Sequence, residues 1–74
     1  MRHYLIIQKN AGNGWEKDGS AITDLSILHD DLDSDARHNA GVAYRAIDRH
    51  THEIVIPAIV YVEIVETEKT TIKW

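Results

Sequence analysis

Seventy-four residues, 43% of them hydrophobic, with no cysteine and a formal net charge of −4, make a single domain spanning 1–74 that is too small for a deep catalytic cleft. The lack of thiols excludes a disulfide framework and a thiolate metal site, and a reducing, cytoplasmic location is expected. The longest mainly apolar run, IVIPAIVYVEIV, is well short of the ~20 residues that cross a bilayer, so a soluble, unprocessed chain without a membrane partner is expected.

Residues 2–9 alternate, with Leu5 and Ile7 on one side and Tyr4 and Ile6 on the other. Both rows are apolar, which predicts a central strand. Residues 10–20 hold three of the four glycines, with Asn13-Gly14 and Asp18-Gly19 as turn signals, so a hairpin or an ordered loop is expected there. Trp15 anchors it, either as a lid on the core or as an exposed interface residue. Over 21–32 two readings stay open. Ile22, Leu25, Leu28 and Leu32 fit a helix capped by Thr23 or Asp24, or a strand followed by one turn of helix.

The main helix is predicted over 34–50. Ser34 caps it, Asp35 suits its positive end, and Arg45, Arg49 and His50 suit its negative end. Its inward face is Ala36, Ala40, Ala43 and Ile47, with Tyr44 at the margin. Gly41 falls on the outer side, at a cost of up to ~1 kcal/mol relative to alanine. A long strand follows over 53–67, with Ile54, Ile56, Ala58, Val60, Val62 and Ile64 as its buried row. Pro57 has no N–H for the ladder, so an edge position or a bulge is expected at that point. A polar turn over 66–69 and a last strand over 70–74, with Ile72 and Trp74 on one face, complete the chain.

Charge is unevenly placed. Residues 16–35 carry seven acids against Lys17 alone, which disfavours direct nucleic-acid binding and favours a basic partner surface or simple solvation. Asp31, Asp33 and Asp35 match the first three ligands of a calcium loop, but Ala36 stands in place of the turn glycine and Val42 in place of the final glutamate. With Asp30 beside them, they read as a helix-starting cluster or a docking patch. His50 and His52, next to Glu53, have zinc- or nickel-type spacing, with His3, His29 or His38 as possible third ligands. Surface imidazoles are the plainer reading, and no cofactor or bound metal is expected. Ser20, Ser26 and Ser34 lack the setting of a nucleophile. Gly12-Asn13-Gly14 lacks the lysine and helix of a phosphate cradle. An enzyme is not expected.

The order of parts is an opening Y-L-I-I strand, a glycine-rich turn with Trp15-Glu16, an alanine-lined helix, V-I-P-A leading into a valine-rich strand, and a closing T-T-I-K. In this the chain resembles small uncharacterised proteins encoded by phages and prophages, a resemblance that implies no known activity. It is similar in size, charge and strand-helix-strand-strand layout to the anti-CRISPR inhibitors. The HicB-type antitoxins also open with a Y-x-x-x-I strand and an alanine-rich helix, but their P-D-L-P-G-C segment has no counterpart between Trp15 and Asp35.

The expected fold is therefore a two-layer α+β domain, a mainly antiparallel sheet of three or four strands with one main helix across one face. On this reading the helix covers the Ile54 to Ile64 row, and Val55, Ile59, Tyr61 and Val65 form an open patch. The expected function is non-enzymatic protein binding, in its specific form a phage-encoded inhibitor of a host defence or nucleic-acid-binding complex. Trp15, Glu16, Asp30, Asp31, Asp33, Asp35, Ile59 and Tyr61 would be its contact residues. The alternatives are a homodimer or larger homo-oligomer closed through the open sheet face, and a metal-binding protein using His50 and His52.

Overall fold

The computed structural model describes residues 2–62. Strand β1 (His3–Asn10) lies between β2 (Glu16–Thr23) and β3 (Ala43–Asp48). The central position follows from its two apolar rows, since a strand paired on both edges and half covered on both faces has no fully polar side. The connection from β1 to β2 is organised by the Asn10 carboxamide, whose Oδ1 accepts from the backbone N–H of Gly12 at 2.7 Å and of Gly14 at 3.2 Å. Such short side-chain-to-backbone bonds fix a turn locally.

Helix α1 (Leu25–His38) follows β2 directly, with Asp24 as an extended N-cap and Asn39 closing the last turn. Asn39 donates from both its backbone N and its Nδ2 to the Asp35 carbonyl, at 3.0 and 3.1 Å. Leu28, Leu32 and Ala36 recur every four residues and are buried against the sheet. This corrects the helix expected over 34–50. Ser34 lies inside α1, and residues 43–48 are strand β3, because Tyr44 and Ala46 turn to the helix side while Arg45 and Ile47 face away. A period of two accounts for that burial and a helical period does not. Gly41, at φ +92°, makes the turn between the two elements.

Asp48 builds the connection from β3 to β4 (Ile54–Ile59). Its Oδ1 accepts from the His50 and Thr51 backbone N–H groups at 2.7 and 2.9 Å, and its own N donates to the Glu53 carbonyl at 2.8 Å. All three strand pairs are antiparallel, giving a four-stranded sheet in the order β2-β1-β3-β4.

The strand expected over 53–67 ends at Ile59, and its buried row is interrupted. Ile56 is buried, whereas Ile54, Ala58, Val60 and Val62 are exposed. The pairing explains why. Ala46 faces Ile56 and Tyr44 faces Ile59, so two residues of β3 oppose three of β4 across Pro57 and Ala58. One extra residue reverses the in-out alternation, so Ile59 and Tyr61 pack toward the helix side, and a second shift, which pairs Ile54 with Ile47 while Ile56 pairs with Ala46, puts Ile54 on the other face. The open patch expected at Val55, Ile59 and Tyr61 is thereby corrected, since all three pack against the core. The turn expected over 66–69, the strand over 70–74 with Ile72 and Trp74, and the positions of Ile64 and Val65 lie outside the described residues.

The core is Leu5, Leu28, Leu32, Ala36, Tyr44, Ala46 and Ile56. Ala36 on the helix and Ala46 on the sheet are fully buried, and their small side chains let the two layers approach closely. No helix among the described residues is long and apolar enough to cross a membrane.

Candidate functional site

Two surfaces remain once the core is assigned: the outer stripe of α1 and the sheet face turned away from it. At about 100° per residue, Ile27, Asp30, Asp31 and Ser34 share the side of α1 turned away from Leu28, Leu32 and Ala36, and all four are exposed. Asp35, also exposed, lies on one flank, seven residues after Leu28, and Asp33 falls on the other. A calcium loop cannot form from Asp31, Asp33 and Asp35 here, because helical spacing turns the middle carboxylate away from the other two.

Asp33 and Tyr61 are brought together. The Tyr61 hydroxyl donates to Asp33 Oδ1, and Arg37 Nε donates to Asp33 Oδ2 at 2.9 Å. The Arg37 guanidinium also lies over the Tyr61 ring, 4.9 Å from its centroid. These contacts clip the chain beyond β4 to α1, and Asp33 is thus a structural carboxylate rather than one open to a partner. The Tyr61 hydroxyl, then the Arg37 guanidinium, hold its carboxyl below the ordinary aspartate value. The same bond to Asp33 pushes the Tyr61 phenol up. The Thr51 and His50 backbone N–H groups likewise lower Asp48.

A carboxyl with a depressed folded pKa favours folding fully above its unfolded value, and that contribution is lost as pH falls through the folded value. The thermal midpoint is therefore expected to fall below about pH 4, the ordinary aspartate range. The fall should be shallower in Asp33→Asn and Tyr61→Phe. Melting curves from pH 6 to pH 2 check this, and an acid limb identical in all three proteins would refute the Asp33 clip.

On the other side of the sheet, the pairing lines up three cross-strand rows. Ile22 lies opposite Tyr4, Ser20 is followed by Ile6, Ile47 and Ile54, and Lys17 is followed by Gln8 and Arg45. Trp15 belongs to this surface. It is half-buried, with the Arg45 guanidinium 4.0 Å from its ring centroid, so it is neither a core residue nor a bare anchor. Arg45 Nε in turn donates to Gln8 Oε1 at 2.8 Å. Tyr4, Ile22 and Ile54 are each about half exposed.

The expected contact residues thus divide. Asp30 and Asp31 share the outer stripe of α1, Asp35 is exposed on its flank, Asp33 and Tyr61 form the clip, and Ile59 lies on the helix side of the sheet. Glu16 is exposed at the start of β2 opposite Lys9, away from both Trp15's stacking partner and the acidic stripe. His50, His52 and Glu53 sit in the β3–β4 connection, and among the described residues no group of three metal-binding side chains converges. Sequence reasoning missed Arg45, Gln8 and the buried Ile47 as residues of this sheet face. The alternation Tyr44, Arg45, Ala46, Ile47 was the available signal, because as a strand it puts Arg45 and Ile47 on one face.

Compared with known proteins, the chain matches no family model, no curated protein and no solved structure. Function is accordingly argued from side chains and their placement.

Proposed function

We propose that this domain is a non-enzymatic, protein-binding accessory protein that presents the outer stripe of α1 to a basic surface on its partner. The observation that carries this reading is the placement of Asp30 and Asp31 beside the exposed Ile27, with the exposed Asp35 one turn after Asp31 on the flank, which joins steering charge to an apolar contact. In its specific form the partner is a host defence or nucleic-acid-binding complex and the domain a phage-encoded inhibitor, a form supported only by the small size and acidic net charge of the chain.

The test replaces Asp30, Asp31 and Asp35 by lysine and leaves Asp33 in place, because Asp33 holds Tyr61. Lysine is a better helix former than aspartate, so the far-UV circular dichroism should not change. The native chain should retain a basic partner from host lysate at low salt and release it at high salt. The triple variant should not retain it at all. Equal retention by both proteins would dismiss the acidic stripe.

A second reading, a homo-oligomer closed through the other sheet face, is favoured by the exposure of Tyr4 and Ile22 at the end of that face away from Lys17 and Arg45. Light scattering separates the two, since a salt-insensitive dimer or larger assembly without a partner belongs to this second reading.

A further inference from the structure

The sheet face turned away from α1 has a charge sign opposite to that of the helix. In a chain of net charge −4, a shallow groove of about 490 Å³ runs over Ile6, Ile47 and Ile54 and is bordered by Lys17, Arg45 and His52. Gln8 also lines it, and among the described residues no carboxylate does. Side-chain placement rather than composition produces this separation, because the acids of α1 lie on the opposite layer.

Arg45 is held in place for recognition. Trp15 covers its guanidinium and Gln8 accepts from its Nε, which leaves the four N–H donors of its two terminal nitrogens for a ligand. A guanidinium already fixed by stacking and by one hydrogen bond loses little freedom on binding, and its planar fork matches a carboxylate. Beside it, the Ile6–Ile47–Ile54 row offers an aliphatic floor in register across three strands.

We infer that this groove docks an acidic, aliphatic protein segment, with carboxylates on Arg45 and Lys17 and branched side chains on the isoleucine floor. This goes beyond the role of the α1 stripe and uses a different surface. Three features single out this occupant. A single-stranded nucleic acid needs aromatic faces for its bases, but the floor is aliphatic and Trp15 is already stacked on Arg45. A second copy placed by a two-fold axis would set like charges around Arg45 and Lys17 against each other. Strand addition at the β4 edge is disfavoured by Pro57 and by the register shifts on both sides of Ile56, so the face rather than that edge receives the segment.

The experiment is an NMR titration of the isotope-labelled full chain with the blocked peptide acetyl-SEIVESIE-amide, its neutral counterpart acetyl-SQIVQSIQ-amide, and an oligothymidine of similar length. The acidic peptide should shift the amides of Ile6, Arg45, Ile47 and Ile54 to saturation, and higher salt should weaken it. Charge-assisted hydrogen bonds set the expected size of the effect, so the neutral peptide and the Arg45→Gln variant should each bind about tenfold more weakly. Lys17 is exposed, so Lys17→Gln gives the same test without touching the stacked pair, should Arg45→Gln disturb the fold. Equal affinity for the two peptides, saturating shifts of these amides by oligothymidine, shifts that follow protein concentration alone, or no shift in the groove would each overturn the inference.

Discussion

Replacing Leu32 by alanine is expected to lower the thermal midpoint by roughly 15 °C and leave a detectable unfolded population at room temperature. Leu32 is 1% exposed and, with Leu5, is the largest fully buried side chain. It is the middle residue of the Leu28–Leu32–Ala36 row by which α1 joins Tyr44, Ala46 and Ile56. Truncating such a leucine costs about 2–5 kcal/mol, because the cavity closes only in part. A domain of this length has a total stability of about 4–11 kcal/mol, and each kcal/mol moves the midpoint by about 4–8 °C. The contrast lies one turn away. Ile27 is 54% exposed, and Ile27→Ala should stay within about 0.5 kcal/mol of the parent. Circular dichroism melts of the two variants measure the difference, and similar small shifts in both would mean that α1 does not cover this sheet.

The fold class was legible because two features of the sequence are insensitive to where elements end. Leu5 and Ile7 against Tyr4 and Ile6 mark a strand with neighbours on both sides, and β1 is indeed flanked by β2 and β3. Pro57 announced a bulge or an edge, and β4 has both among the described strands. The helix was misplaced because alanines at 36, 40 and 43 satisfy a helical period while Tyr44 and Ala46 satisfy a strand period over the next residues. Alanine is small enough to be buried in either element and so cannot arbitrate. The long strand was misread for a related reason, since the extra residue on each side of Ile56 reverses which row is buried and leaves no mark in the alternation itself.

The acidic stripe was visible as composition, but its division was not. Asp33 and Tyr61 are 28 residues apart, so although helical spacing already turns Asp33 away from Asp31 and Asp35, only the tertiary packing that brings the chain beyond β4 across α1 gives it a partner. Arg45 illustrates the same limit from the other side. Assigned to a helix end, it was one more favourable charge for the helix dipole. As part of β3 it faces away from the core, takes Gln8 and Trp15 as partners, and gives the sheet face its positive sign.

Gly41→Ala turns the misplaced helix boundary into a measurable sign. Were residues 34–50 a helix, glycine in its interior would be a weak point and alanine would stabilise the protein by up to about 1 kcal/mol. In the observed fold Gly41 has φ +92°, a left-handed conformation that disfavours an L side chain by about 1–2 kcal/mol. An added Cβ would meet nothing within 4 Å, so the whole penalty comes from the backbone and a larger side chain cannot blame crowding. The turn also resists relaxation. Gly41 N donates to the Tyr61 carbonyl at 2.7 Å and Val42 N to the Asn39 carbonyl at 3.0 Å, and rotating Gly41 to negative φ would disturb the alignment of both. Gly41→Ala is therefore expected to destabilise by about 1–2 kcal/mol in urea titrations. A chemically synthesised chain with D-alanine at 41 should instead match or exceed the parent, because a D-residue prefers positive φ. If the L-alanine protein proves the more stable of the two, the chain does not turn at Gly41 and the assignment of 43–48 to β3, with the basic groove that depends on it, falls as well.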